Sequence, residues 1–251
     1  MTVGAGALSM LPSVSRPVVP LTACALALLL FCAAARGAVD VGPASAPRMD
    51  FVPLAAGTYH LESIQPVQDA RLLDERGRPA HLSALTQGKI TLLTFFYSYC
   101  VDPLGCPFAH ETLTGLRNRI VTDPALAAEV RFVGVSFDPT IDTPAVLERY
   151  ADEFTTHREF EWRFLTAGSV RELLPVLEDF GQDVSIELDR QGHPTRTRHH
   201  MLKVFLIDRS GMIREIYSLA YIQPEVMLND IRTLYLEPRQ RFARTAAHDP
   251  R

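Results

Sequence analysis

Lysine is almost absent from this chain. Of its 25 basic side chains only Lys89 and Lys203 are lysines, and the arginines that make up the rest are scattered. They face 29 carboxylates, for a formal net charge of -4. With no basic patch to neutralise a phosphate backbone, a nucleic-acid partner has no electrostatic support. No internal repeat is present, no glycine loop of the phosphate-binding kind, and no Ser-His-Asp ordering that would suggest a hydrolase.

Cysteine is scarce as well: Cys24, Cys32, Cys100 and Cys106. The first two fall in the apolar run Pro17–Ala35, which follows Arg16 and ends in small residues. A basic flank, an apolar core and a small-residue end describe a signal peptide, cut near Ala35. The run is also close to the roughly 20 apolar residues that span a bilayer, so it would serve equally as an anchor. Leu21-Thr22-Ala23-Cys24 fits a lipoprotein box, although the apolar stretch before it is short. Residues 1–38 therefore read as signal peptide or membrane anchor, and the Ala/Pro/Gly-rich 39–55 as a flexible linker. Residues 56–238 are the folded domain, and 239–251 a disordered tail.

Export leaves Cys100 and Cys106 as the thiols of the domain, in a compartment where a thiol pair tends to close into a disulfide. Their setting is informative. Ile90–Phe96 is a short β-rich apolar run, predicted as a buried strand. Pro103 and Gly105 make a loop, and Pro107 suits the first turn of a helix over Phe108–Val121. The pair thus sits between a central strand and its following helix, where an open α/β sheet places its chemistry. A structural bridge is one reading of this; a redox-active or metal-binding pair is the other.

Along the chain, Leu54–Ile64 is a weak candidate strand. Ala70–Leu73 and Pro79–Leu82 form a predicted hairpin around Asp74-Glu75-Arg76-Gly77, with Gly77 free to take a positive φ. Val130–Phe137 is a second buried strand. Asp142 or Thr143 caps a helix over Ala145–Phe154, and Ser169 one over Val170–Phe180. Trp162–Leu165 is a short strand, and the polar Glu187–Arg198 an exposed loop. Leu202–Ile207 and Met212–Tyr217 form a hairpin, and Pro224–Tyr235 the last helix. Strands alternating with helices and ending in an antiparallel pair predict an α/β fold. The expected form is a thioredoxin-like mixed sheet flanked by helices, with an N-terminal hairpin.

A helix N-terminus favours a thiolate, so Cys106 is expected to carry a lowered pKa. Two thiolates are soft ligands suited to Cu(I) but need a third donor. His199-His200, just before Leu202–Ile207, would reach the cysteine loop if the two strands are neighbours; otherwise they are solvated polar residues. His110, four residues past Cys106, is a substitute ligand or a partly buried helix histidine. Asp138 and Asp142 fit turn and capping roles. His60, His81, His157, His193 and His248 show no metal spacing, and the scattered methionines argue against a Met-rich relay.

Four blocks, FFYSYC…CP, VGVSFDPTIDTPAVLERYA, EWRFLTAG and HMLKVFLIDRSG, resemble the Sco/SenC family in that family's order, over Pro66 to Tyr235. The resemblance implies a thioredoxin-like fold and a copper ion held by Cys100, Cys106 and His200. It implies a role in copper delivery to, and assembly of, the copper centre of cytochrome c oxidase. The partner would be the copper-bearing subunit, or another exported copper or thiol protein. Some members of the family act instead as thiol-disulfide reductants, which leaves a metal-free oxidoreductase using Cys100 and Cys106 as the alternative. A non-catalytic module with a structural disulfide is the third reading. The implied location is the periplasm, free or membrane-anchored. One departure stands out: the family's C-x-x-x-C-P is here C-x-x-x-x-x-C-P, with two more residues and an acidic Asp102 between the thiols.

Overall fold

A computed structural model describes residues 49–155 and 159–238. The targeting segment 1–38, linker residues 39–48, His157 and the tail 239–251 lie outside the described residues.

The centre of the fold is β4 (Ile90–Phe96), buried at all seven positions. It pairs in parallel with β5 (Val130–Ser136) on one side and antiparallel with β9 (Lys203–Ile207) on the other. A strand with two partners and both faces covered needs a continuous apolar run, which ITLLTFF supplies. Outward from β5 come β6 (Glu161–Thr166), β2 (Arg71–Asp74) and β3 (Pro79–His81). Outward from β9 come β10 (Met212–Ser218) and the two-residue β1 (Gln65–Pro66), making eight strands in the order β1-β10-β9-β4-β5-β6-β2-β3. The β2–β3 hairpin turns at Gly77, whose φ is +74°. The expected strand over Leu54–Ile64 does not form; pairing begins at Gln65. That segment is instead strapped to the last helix by side chains: Tyr59 and Tyr217 both donate to Asp230, and Asn229 Nδ2 donates to the Leu54 carbonyl.

Six helices accompany the sheet among the described residues: α1 (Leu82–Thr86), α2 (Cys106–Ile120), α3 (Pro124–Glu129), α4 (Pro144–Asp152), α5 (Val170–Asp179) and α6 (Pro224–Leu236). The short α1 and α3 were not anticipated; α3 is capped by Asp123, which accepts from the N–H groups of Ala125 and Leu126. Ser169 caps α5 as expected, accepting from Glu172 N–H. Gly134 in the middle of β5 has a packing reason. A Cβ there would come within 3.0 Å of the Phe164 ring and 3.1 Å of Phe96. Those rings meet edge to face at 5.5 Å beneath the cysteine segment.

Glu187–Arg198 is not a loop. β7 (Val184–Leu188) and β8 (Pro194–His200) form a separate two-stranded sheet, turned by the Asp189–His193 segment. Their residues are mostly exposed; Val184, Ile186 and Leu188 alternate with polar residues at the strand period, but β8 is polar throughout, so the segment from Glu187 on resembles a polar loop.

Candidate metal centre

β4 delivers the chain to Tyr97-Ser98-Tyr99-Cys100, where Cys100 N–H donates back to the Tyr97 carbonyl at 3.1 Å. Asp142 fastens this corner. It accepts from Ser98 N–H at 3.1 Å, Ser98 Oγ at 2.5 Å and Ser136 Oγ at 2.5 Å. It is therefore not the cap of α4; that position is Thr143, which makes no side-chain cap bond. Burial holds the Asp142 carboxyl above its usual range despite these bonds.

The longer spacing between the cysteines is taken up by a closed turn. Gly105 N–H reaches the Asp102 carbonyl at 2.9 Å and Leu104 N–H the Asp102 carboxylate at 3.0 Å. The extra residues bulge outward, leaving Val101 90 % exposed. Gly105 lets the turn close, since a Cβ there would sit 3.3 Å from Cys100 Sγ and 3.3 Å from the Asp102 backbone. Cys106 then opens α2, with Pro107 in its first turn.

Both cysteines are unbridged thiols, Cys100 half-buried and Cys106 buried. The Cys106 thiol donating to Cys100 is the chief reason that the Cys100 pKa is pulled down to about 5. Burial opposes the shift; the Tyr97 hydroxyl and the N–H groups of Cys106 and Asp102 support it. Cys106 is pushed up, because it is the buried donor beside a charged sulfur. This reverses the expectation for Cys106. The N–H at the start of α2 favours the thiolate at both sulfurs; what separates them is that Cys106 is the donor of the pair and the more deeply buried.

His200 is the last residue of β8. Side chains alternate along a strand, and here Arg196, Arg198 and His200 share one face while His199 is exposed on the other. The His200 ring packs on Phe137 at 4.4 Å and Tyr97 at 6.2 Å between centroids. Its Nδ1 is buried and has no hydrogen-bond partner. Burial lowers its pKa, while the negative charges of Cys100 and Asp102 work the other way, so the ring is neutral. A neutral imidazole with an unpartnered buried nitrogen, within electrostatic reach of Cys100, is donor chemistry that suits a soft metal. Among the described residues, no three His, Cys, Asp or Glu side chains already stand close enough together to hold an ion. The thiols are brought together; His200 is their neighbour and not yet part of one shell with them.

His110 is a core residue. Tyr150 Oη lies 2.6 Å from its Nδ1, rings surround it, and burial takes its pKa down to about 4. It lines a cavity of about 320 Å³ behind both cysteines, with Glu111 and Glu153 at the rim.

A family model described as SCO1/SenC matches residues 63–236. The chain belongs to the SCO1/SenC family. No curated protein matches the sequence. Among solved structures, apo Sco1 from Thermus thermophilus is similar at 26 % identity and a TM-score of 0.55, covering 71 % of this chain and 99 % of that one. Copper-bound ScoI from Bradyrhizobium japonicum is similar at 25 % identity and a TM-score of 0.54, covering 66 % of this chain and 98 % of that one. Copper-bound yeast Sco1, at 20 % identity and a TM-score of 0.55, covers 67 % and 87 %, and its likeness is one of fold. The SCO1/SenC match extends through α6, so the cysteine corner and the β7–β8 arm both lie inside it.

Around this site stand residues that motif reading passed over. Tyr99 Oη donates to Asp138 at 2.5 Å, and Arg198 contacts the same carboxylate at 2.5 Å. Arg196 lies over the Tyr99 ring at 4.7 Å. The available signal was the alternation of Arg196, Arg198 and His200 against Thr195, Thr197 and His199.

Proposed function

We propose that this protein is an exported copper-binding protein that assists copper delivery to, and assembly of, the copper centre of cytochrome c oxidase. Copper is its cargo, and Cys100, Cys106 and His200 are its ligands. The observation that carries this reading is the unpartnered, buried Nδ1 of His200, on an arm whose Arg198 shares the Asp138 carboxylate with Tyr99, the neighbour of Cys100, in a SCO1/SenC chain. The likeness to copper-bound ScoI supports the choice of metal. Cys100 is only half-buried, which suits ligand exchange with a recipient such as the copper-bearing oxidase subunit. Residues 1–38 would direct export to the periplasm, as a cleaved signal or an anchor, and 39–55 would link them to the domain. Among the described residues no helix is long and apolar enough to cross a membrane.

Anaerobic titration of the reduced protein with copper tests the proposal. One equivalent is expected to bind tightly, and His200→Ala to abolish that tight binding while leaving thiol exchange nearly intact. Absence of stoichiometric binding at micromolar metal would remove the copper reading.

A second reading is favoured by the lowered Cys100 pKa beside a protonated Cys106. In a metal-free oxidoreductase the Cys100 thiolate attacks a substrate disulfide and releases one substrate thiol. Cys106 then gives up its proton and closes on Cys100, releasing the second. The substrate gains two electrons and the protein gains one disulfide. Activity of this kind that survives His200→Ala, in a protein that takes up no copper, would favour it.

A further inference from the structure

The arm that carries His200 pairs with no strand of the main sheet. An isolated two-stranded hairpin is at best marginally stable in water, so something other than a backbone ladder must hold β8 where it is. Gln182 Nε2 donates to the Met201 carbonyl at 3.0 Å and Val184 packs on the core; the polar holds on β8 itself lie on the His200 face. Arg198 reaches across to Asp138, which is 4 % exposed, just after β5. Tyr99, one residue before Cys100, donates to the same carboxylate oxygen. Arg196 covers the ring of that tyrosine. Asp138 is itself held, its N–H by Ser136 Oγ at 3.0 Å and its carboxylate by Thr140 N–H at 3.2 Å.

We propose that the Arg198–Asp138 pair, braced by Tyr99, positions His200 against the thiols, so that Arg198 and Asp138 are positioning residues for copper binding without being ligands. The proposal rests on the copper reading above. A buried ion pair is weak evidence for stability, and fixing one arrangement among several is its better-attested use. Here it joins the corner bearing the thiols to the arm bearing the imidazole. Both ends of the latch are within two residues of a proposed ligand: Tyr99 beside Cys100, Arg198 two before His200.

The test uses the reduced full chain carrying Arg198→Met, with Arg198→Lys as the conservative variant. Copper(I) affinity is measured against a chelator, and nitrogen hyperfine structure is read in the copper(II) adduct. Arg198→Met is expected to keep one copper per chain on the two thiolates, lose the imidazole signal, and bind about 10- to 100-fold more weakly. Arg198→Lys should recover part of both. In a His200→Ala background, Arg198→Met should cause no further loss. Wild-type affinity and hyperfine structure in Arg198→Met would overturn the proposal, as would an equal loss with and without His200.

Hydrogen exchange gives a reading independent of copper. Arg198→Met should speed exchange in 184–200 and leave 90–96 and 130–136 unchanged; unchanged exchange in the arm would overturn the latch. If the wild-type protein binds no copper, the copper reading fails and exchange alone decides the latch. Should Arg198→Met not fold, Tyr99→Phe removes one bond to Asp138 and is expected to act in the same direction to a smaller extent.

Discussion

The two halves of the candidate site are held by different forces. The cysteines are placed by backbone and core. Cys100 follows a strand laddered on both sides, and Cys106 opens a 15-residue helix whose Leu113, Leu116 and Ile120 are buried. The histidine is placed by side-chain contacts and by the short connection into β9, on a hairpin that is mostly exposed. A change in the core therefore acts on the whole protein, whereas a change in the latch acts on one ligand.

The largest effect should come from the core beneath the thiols. Phe96 stacks on Tyr150 at 4.9 Å and meets Phe164 and His110 edge-on. Phe96→Ala should lower unfolding stability by about 3 to 5 kcal/mol in chemical denaturation. Ile186→Ala on the arm should stay within about 0.5 kcal/mol. Equal losses would mean that the arm is as much a part of the core as β4. The ligand and latch variants described above come next, with the copper affinity falling but the denaturation midpoint moving little for His200→Ala.

Thiol reactivity sharpens the contrast within the cysteine half. With its pKa held at about 5, Cys100 should alkylate at a steady rate through neutral pH. Its rate should fall as pH drops through about 5 and the thiolate is protonated. Cys106, shifted the other way, should react only after Cys100 or at high pH. Mass mapping of singly labelled protein checks this, and first labelling at Cys106 would reverse the assignment. The smallest effect is expected at the exposed turn. Asp102→Asn keeps the side-chain acceptor for Leu104 N–H and removes one solvated charge, so Cys100 alkylation should change by less than about threefold.

Legibility in the sequence followed the same division. Ile90–Phe96 and the strand starting at Val130 announced themselves by apolar runs, and Pro107 marked the helix after Cys106, because burial leaves a compositional trace. Cys100, Cys106 and His200 are proposed through the family pattern. The β7–β8 arm was not legible, since β8 is polar throughout and the one alternation, Val184, Ile186 and Leu188, lies on a mostly exposed strand. Asp142 was misjudged for a related reason: Asp before Thr-Pro looks like a cap, and only the fold brings Ser98 and Ser136 to it. The reversal of thiolate character between the cysteines depends on which thiol donates and which is buried, which spacing does not specify.

Two histidines stand side by side at the end of β8, and β7 carries an irregularity between Ile186 and Leu188. A strand slipped by one residue turns each side chain to the opposite face. Slippage here would offer His199 to the thiols in place of His200, and would bring Thr195 and Thr197 round where Arg196 and Arg198 had been. Threonine has no charge with which to answer the buried Asp138. The ion pair thus serves as a register lock, and the spare imidazole next door stays spare because admitting it would leave the Asp138 carboxylate without a cation, with only the neutral donors Tyr99 and Thr140.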